Sequence, residues 1–173
     1  MLAQKGEQKI LVCIEWKYVE NYSGKAIEKK DKTYETQRNI YKSLLTMMDS
    51  PIKLNLSIEN DKCDYDSEFV KFSIEPFYQL MRQTLLAWQL AVRNPLIIDD
   101  YIHLHLIPNA NVQLLEGKTS PDITNGLNIC DGWKKYLNNS NKYMHFDLQE
   151  FIGPAALKCN YELYQYLLNR YWS

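Results

Sequence analysis

The sequence predicts a single α/β domain in which helices flank a mixed central sheet, and three patterns support this fold class. Two short apolar runs, residues 10–17 and 101–107, are typical of strands. Between them, apolar residues recur at helical spacing in residues 33–48 and again from Glu75 onward. A chain of 173 residues, of which 46% are hydrophobic and 24% charged, can bury a sizeable core.

The first predicted strand follows a hairpin turn and ends in a charged pair. Residues 4–8, with Gly6, are typical of the turn, and five apolar residues then precede Glu15. Such a run is expected of a strand covered on both faces. Glu15 and Lys17 are two residues apart and therefore share a face. There a carboxylate can hold a divalent metal while the lysine stabilises a phosphate, or both charges can simply be solvated.

The first predicted helix carries a second pair of candidate site residues. Asp31 or Thr33 is expected to cap it, and Gln37 precedes Tyr41 by four residues, which places both on one face. The glutamine can hydrogen-bond a phosphate or orient a water while the tyrosine supports it. Alternatively, Gln37 reaches solvent and Tyr41 lies in the core. The expected apolar stripe of this helix is Ile40, Tyr41, Leu44, Leu45 and Met48.

The middle of the chain is predicted to hold a long buried helix and a second clear strand. After Pro51 we expect a short strand at 52–58, a polar loop at 59–67 and an extended piece at 69–74. The long helix ends before Asn94 because a proline follows. The second strand places His103 and His105 on one face. Two histidines at this spacing can bind zinc, but a zinc site needs three or four ligands. The alternative is that they pack against a helix or are exposed on one face of the sheet.

The last third of the chain is less periodic. We expect a loop at 117–126, a helix at 131–137, an extended segment at 143–151 and a terminal helix at 158–171. The tyrosines of the terminal helix favour packing or an interface.

Charge and cysteine content narrow the class of protein. A net charge of −1 is not that of a general nucleic-acid binder. The four widely spaced cysteines indicate neither a zinc site nor a disulfide framework, which fits a reducing cytoplasm. No signal-peptide pattern and no run of membrane-spanning length is present, so no membrane partner is expected. A local basic cluster can follow a phosphate backbone or form a solvated surface: Lys25, Lys29, Lys30, Lys32, Arg38 and Lys42.

The chain resembles the PD-(D/E)XK nuclease superfamily, in particular its restriction-endonuclease-like and RecB-like members, which follow an E-x-K motif with a helical Q-x-x-x-Y. Glu15-Trp16-Lys17 matches the E-x-K motif, and Gln37 with Tyr41 matches the helical pair. Residues 18–22 and 79–87 look like two further segments of one branch. The resemblance covers roughly residues 8–115 of one domain spanning residues 1–173, with the remainder, from about residue 116, a C-terminal helical extension.

This resemblance implies a Mg²⁺- or Mn²⁺-dependent DNA endonuclease that hydrolyses phosphodiester bonds. Glu15 and the carbonyl of Trp16 would bind the metal, and Lys17 would contact the scissile phosphate or activate a water. Gln37 and Tyr41 would complete the catalytic set. The alternative is a non-catalytic module that keeps the nuclease fold and binds nucleic acid or another protein.

One departure from the family pattern concerns the first metal-binding aspartate, which belongs on the strand before the E-x-K strand. Counting back across the turn at Gly6 places it about three or four positions before Met1. The core is therefore predicted to be truncated at its N-terminus, either because the chain is a fragment or late start of a longer protein or because it is a degraded family member. Alternatively, another carboxylate has taken the place of the aspartate, and the available substitutes are Asp61, Asp64, Asp66 and Glu20. A sheet cut there would expose an edge beside residues 10–14, and pairing of two copies across that edge would form a homodimer.

Overall fold

A mixed four-stranded sheet with helices on both faces organises the part of the chain that the structure describes, as the sequence predicts. The structure is a computed structural model. It describes residues 1–16, 32–54, 58–59, 62–63, 65–93, 97–115 and 121–172.

The strands include the two predicted ones, with bounds within a residue or two of expectation. The hairpin turn is also confirmed, with Gly6 at a φ of 63°, a conformation that glycine adopts without strain. The strands are β1 (Leu2–Lys5), β2 (Gln8–Trp16), β3 (Ile58–Glu59), β4 (Lys62–Cys63), β5 (Asp100–Leu106) and β6 (Tyr143–Phe146).

Helices make up most of the remaining described chain, and the long predicted helix is confirmed as α3. A short 3₁₀ turn, Ser140–Lys142, leads into β6, and a π-helical segment, Leu168–Trp172, ends the described chain. The helices are α1 (Lys32–Leu45), α2 (Tyr65–Phe72), α3 (Phe77–Arg93), α4 (Val112–Leu115), α5 (Pro121–Thr124), α6 (Ile129–Lys135), α7 (Leu148–Cys159) and α8 (Tyr161–Leu167).

Parallel pairing places the ends of three strands at one edge of the sheet. The strand order is β1-β2-β5-β6, in which β1 and β2 are antiparallel while β5 is parallel to both β2 and β6. The carboxyl ends of β2, β5 and β6 therefore meet at one edge, which is where open α/β sheets place their ligands.

Two hydrophobic clusters lie on opposite faces of the sheet. The larger one joins Leu11 and Tyr101 of the sheet to buried side chains of α1, α2, α3 and α6. Its centre is aromatic, with the ring of Phe72 edge-on to Trp133 at 6.1 Å and to Tyr136 at 5.4 Å. The smaller cluster holds Val12, Leu104, Leu106 and Leu148, the last of which begins α7.

The extended piece predicted at residues 69–74 is wrong, because most of it belongs to helix α2. Tyr65, Phe69 and Phe72 recur at four- and three-residue intervals and are all buried, so they form one helix face. Tyr65 and Phe69 stack with ring centroids 5.7 Å apart. The polar loop predicted at 59–67 likewise overlaps β4 and the start of α2.

Helix α1 forms as predicted, but its buried face differs from the expected stripe. Tyr34, which the prediction omitted, is buried and contacts Phe69, whereas Ile40 is 57% and Met48 99% exposed. Met48 lies beyond the helix end at Leu45 and so cannot share its face. Thr33 is inside the helix rather than its cap, and Asp31 lies outside the described residues.

The C-terminal predictions are partly right. The extended segment stops at Phe146 because Asp147 caps α7, accepting hydrogen bonds from the backbone of Gln149 and Glu150. The predicted terminal helix divides at Asn160, which caps α8. The predicted helix at 131–137 begins earlier, as α6, and the predicted loop at 117–126 contains α5. Of the strand predicted at 52–58, Ile52 forms one bridge with Leu137.

The prediction of an exposed sheet edge beside residues 10–14 is wrong for residues 10–12. Ala3 pairs with Ile10 and Leu2 with Leu11, and the backbones of Met1 and Val12 exchange two hydrogen bonds of 2.8 and 3.0 Å. Homodimerisation stays a prediction.

Within the described ranges, none of the helices combines the length and apolar character that crossing a membrane requires.

The aromatic centre of the larger cluster should dominate stability. Phe72→Ala removes a fully buried ring that contacts two others, so the free energy of unfolding should fall by about 3–5 kcal/mol. Urea unfolding followed by far-UV circular dichroism measures the change. Met48→Ala, at a side chain 99% exposed, is the control and should change stability by less than about 0.5 kcal/mol. Equal effects of the two substitutions would contradict this packing.

Candidate functional site

Glu15 lies at the carboxyl end of β2 and is only 9% exposed. It faces the larger hydrophobic cluster, since Leu11 lies on the same face four residues earlier. Trp16 points to the opposite face and is 52% exposed, while Lys17 lies outside the described residues. The structure thus places the predicted carboxylate at the edge of the sheet where parallel strands end.

Gln37 and Tyr41 lie in α1, in the helical layer above the sheet. Gln37 is half-buried, and its Oε1 atom is buried without a hydrogen-bond partner among the described residues. The ring of Tyr41 is half-buried and meets Tyr78 of α3 edge-on at 6.0 Å. No hydrogen bond between described residues joins either side chain to Glu15. The core interpretation of Tyr41 therefore accounts for its contacts, and Gln37 keeps a buried polar atom that packing alone does not explain.

The structure brings Glu15 together with a row of buried polar side chains. Glu15 is the register neighbour of His105 across the parallel β2–β5 pair. Nδ1 of His105 lies 3.0 Å from the hydroxyl of Tyr143, which itself lies 3.5 Å from Sγ of Cys130. His105, Tyr143 and Cys130 are each at most 2% exposed. Polar groups buried this deeply are costly unless they are paired, so the row is fixed by its mutual contacts.

A second pair of the same kind lies two residues earlier on β5. Nδ1 of His103 is 2.9 Å from the hydroxyl of Thr84 in α3, and both residues are at most 1% exposed. The β2 neighbour of His103 is Cys13 rather than a carboxylate. Two histidine–hydroxyl pairs thus lie side by side, and only one of them adjoins Glu15.

Burial sets the protonation of this row. It lowers the pKa of His103 to about 3, so the ring is neutral near pH 7. It also raises the pKa of Tyr143 well above 10.0, and the Cys130 thiol and the negative charge of Glu15 raise it further. Burial raises the pKa of Cys130 to about 11. Both the phenol and the thiol therefore keep their protons near neutrality.

The row continues to the edge of the sheet at His145, the register neighbour of His105 on β6. Burial, and then the positive charge of Lys134, lower the pKa of His145 below its usual 6.5. A surface depression of about 400 Å³ adjoins it, lined by Lys134, Ser140, Asn141, Tyr143, Met144 and His145.

The zinc interpretation of His103 and His105 finds no third ligand among the described residues. No group of three or more histidine, cysteine or acidic side chains within the described ranges could hold a metal. His103 packs against Thr84 of α3, as the helix-packing alternative predicts, and both histidine rings lie beside Tyr143.

The basic cluster near α1 is only partly described, and two of its members have structural roles. Arg38 forms an ion pair with Asp66, and the ammonium of Lys42 lies 5.5 Å from the centre of the Tyr65 ring. Lys25, Lys29 and Lys30 lie outside the described residues. For the described members, these contacts favour a structural helix surface over a phosphate track.

Two other arginines line a groove of about 360 Å³ on the outer side of α3. Arg82 lies over the ring of Tyr78, and both Arg82 and Arg93 are exposed. Neither forms an ion pair with a carboxylate of the described chain. The groove is lined by Tyr41, Leu44, Arg82, Gln83, Leu85, Leu86, Gln89 and Arg93.

Sequence reasoning missed Thr84 and Tyr143 as neighbours of the histidines. The alternation of His103 and His105 within an apolar strand was a visible signal that both are buried. Their hydroxyl partners come from α3 and β6, and nothing local in the sequence specifies which residues of those elements meet β5. That information lies in the register of β6 and the packing of α3.

Comparison with known proteins identifies a family for this chain. A family model described as "Restriction Endonuclease associating with ARP" matches residues 1–172. No curated protein and no solved structure matches the chain significantly. The family match spans the sheet, the buried row and all the described helices.

The neutral His103 ring makes stability depend on pH. Its pKa is about 3 in the folded protein and near 6.5 when unfolded, so the unfolded chain takes up more protons between these values. The free energy of unfolding should therefore fall as pH drops from 6.5 towards 3. Urea unfolding at several pH values measures this slope. In His103→Gln the slope should be shallower, and an unchanged slope would show that another group causes it.

Proposed function

Because the chain belongs to the family of restriction endonucleases described as associating with ARP, we propose that it is a Mg²⁺-dependent endonuclease that hydrolyses phosphodiester bonds in DNA. The observation that carries this proposal is the position of Glu15. A carboxylate only 9% exposed ends a parallel strand and begins the sequence Glu15-Trp16-Lys17. The carboxyl ends of parallel strands are where open α/β sheets bind their ligands.

The donor atoms at this end of β2 fit a hard cation. Glu15 supplies carboxylate oxygens, and the Trp16 carbonyl supplies a further oxygen. These are suitable ligands, because Mg²⁺ is commonly held by one or two carboxylates together with water and substrate phosphate. Mn²⁺ shares the preference for oxygen ligands. When bound, such an ion lowers the pKa of water and stabilises negative charge that develops on phosphate.

The remaining roles follow from the resemblance to PD-(D/E)XK nucleases, which we propose as the wider class of this family. Lys17 would contact the scissile phosphate or deprotonate the attacking water. Gln37, whose buried Oε1 lacks a partner among the described residues, would orient that water or hydrogen-bond a phosphate through its amide group. Tyr41 would support Gln37 from the next turn of α1.

The family description suggests a partner for this protein. The family is described as associating with ARP, and we propose that this chain also acts together with such a partner. The cytoplasmic location predicted from the cysteines stays a prediction. Cys13, Cys130 and Cys159 are free thiols.

DNA cleavage tests the proposed function directly. The full chain should cleave single- or double-stranded DNA with Mg²⁺ or Mn²⁺, and Glu15→Gln should reduce the rate by more than about 100-fold because the metal loses its carboxylate. Lys17→Ala should cause a loss of similar size. Glu7→Gln makes the same chemical change at the exposed hairpin turn and should leave the rate unchanged. Equal rates for wild type and Glu15→Gln would refute the proposed site.

A non-catalytic nucleic-acid-binding module is the second candidate function, and the groove on α3 favours it. Arg82 and Arg93 are eleven residues apart on one helix, so they lie on the same face about 16 Å apart along its axis. The described residues that line this groove include two arginines and no carboxylate. An apolar floor between two cations suits a nucleic-acid strand, whose phosphates pair with arginine while its bases contact tyrosine.

Salt dependence of binding tests this second candidate. If the groove holds a strand, the double variant Arg82→Gln/Arg93→Gln should reduce the slope of log affinity against log salt concentration by about 2, since two phosphate contacts are lost. Fluorescence anisotropy with a labelled oligonucleotide measures the slope. Lys158→Gln, an exposed cation on α7, is the control and should leave the slope unchanged. An unchanged slope in the double variant would exclude the groove as a binding surface.

A further inference from the structure

The surface depression at the edge of the sheet carries hydrogen-bond donors that the proposed metal site does not use. It has a volume of about 400 Å³ and lies between α6, the 3₁₀ turn at Ser140–Lys142 and β6. Its polar lining includes the Lys134 ammonium, the Ser140 hydroxyl, the Asn141 amide and the His145 imidazole. The described residues that line it include no carboxylate, and none of them lines the groove on α3. The depression is therefore a separate feature that offers a positive charge and several donors.

These donors are not committed to bonds inside the described part of the protein. There, the side chains of Ser140, Asn141 and His145 form no hydrogen bond with another residue. The carboxylate of Asp131 lies 3.8 Å from the Lys134 ammonium, one turn earlier on the surface of α6. A surface ion pair of that length contributes little free energy, so a second anion can compete for the ammonium.

Lys134 and His145 approach the depression from two different elements. Burial, and then the positive charge of Lys134, lowers the pKa of His145, whereas the negative charge of Asp131 raises it. The effect of Lys134 on the pKa shows that its ammonium lies near the imidazole. An anion between the two groups would be attracted by the ammonium and would accept a hydrogen bond from the imidazole N–H. The pair is therefore suited to a phosphate oxygen.

The chain that forms the walls of the depression is held in place by hydrogen bonds. The backbone N–H of Asn138 donates to the carbonyl of Pro51 at 2.9 Å, and its side-chain amide donates to the carbonyl of Ser50 at 2.7 Å. The side chain of Asn139 accepts a hydrogen bond from the backbone of Asn141 and so caps the 3₁₀ turn. A site that is formed before its ligand arrives loses less conformational freedom on binding.

The register of the sheet places the depression beside the proposed metal site. Glu15, His105 and His145 are register neighbours across β2, β5 and β6. Adjacent strands are about 4.8 Å apart, so the backbone of His145 lies about 10 Å from that of Glu15. Both residues are at the carboxyl ends of their strands. A nucleic-acid strand with one phosphate at Glu15 can therefore place another phosphate in the depression.

We propose that this depression binds a phosphate group of the nucleic-acid strand on which Glu15 acts. Lys134 and His145 are its main donors, and Ser140 and Asn141 complete its shell. The inference rests on the proposed function, because that function supplies the strand. A terminal phosphate and a backbone phosphate offer the same anionic oxygens to these donors. Since phosphate contacts carry no base information, the depression positions the strand and does not read its sequence.

Binding of labelled oligonucleotides to the full chain tests this site. Fluorescence anisotropy without added metal, so that the strand stays intact, should show about 10-fold weaker binding in Lys134→Gln/His145→Gln. Lys134→Gln alone should reduce the slope of log affinity against log salt concentration by about 1, because one phosphate contact is lost. Lys135→Gln is the matched control. It removes the same charge from the next residue of α6, which is exposed and does not line the depression, so it should change neither quantity.

Two further comparisons locate the phosphate and identify its source. In NMR spectra, the ring resonances of His145 should shift on titration with a 5′-phosphorylated oligonucleotide, whereas those of His103, fully buried on β5, should not. If the double variant weakens binding of 5′-phosphorylated oligonucleotides but not of 5′-hydroxyl ones, the site holds a terminal phosphate. Equal weakening of both would assign the site to a backbone phosphate.

The outcomes separate this inference from the proposed function. If Lys134→Gln binds oligonucleotides with the affinity and salt slope of Lys135→Gln, or if the His145 resonances do not shift, the phosphate site is wrong, while cleavage that depends on Glu15 would stand. If the folded wild type binds no oligonucleotide, the phosphate site is also wrong. Binding that depends on Lys134, in a chain whose cleavage of DNA does not depend on Glu15, would support the phosphate site and refute the proposed nuclease function.

Discussion

The parallel register of β2, β5 and β6 is the constraint on which the rest of this structure depends. It aligns Glu15, His105 and His145 side by side across the three strands. Two residues earlier on β5 and β6, it also aligns His103 with Tyr143. A shift of one residue would turn every side chain of the shifted strand to the opposite face. Glu15 would then point to the face that α7 covers, away from the polar row. The polar row therefore forms beside Glu15 only in this register of the sheet.

Burying the polar row costs free energy, because its side chains lose their hydrogen bonds to water. Hydrogen bonds between members of the row offset that cost. The larger hydrophobic cluster surrounds it with aromatic and aliphatic side chains, which stabilise the fold and keep water away. In such surroundings each hydroxyl must find a partner, and Thr84 and Tyr143 both find a histidine nitrogen. The same dry environment keeps His103 neutral and Tyr143 protonated.

The sequence predicts those parts of the fold whose signal is local. The hairpin at Gly6, the two strands and helix α3 each follow from apolar periodicity and turn residues close in sequence. Helix α2 was mistaken for an extended piece because its short apolar run suits either structure, although the spacing of Tyr65, Phe69 and Phe72 favours a helix. The E-x-K motif that singles out Glu15 is also a local sequence pattern. Its neighbours His105 and Tyr143 could not be assigned, because they come from strands that begin about 85 and 130 residues later.

The most direct test of this account is to locate a metal ion in crystals of the full chain. Anomalous diffraction from crystals soaked in Mn²⁺ should show a peak about 2.0–2.2 Å from a carboxylate oxygen of Glu15, at the carboxyl end of β2. Crystals of Glu15→Gln soaked in the same way should lack that peak. A Mn²⁺ peak that binds elsewhere, or that persists unchanged in Glu15→Gln, would contradict the assignment of Glu15 as the metal ligand on which the proposed nuclease function rests.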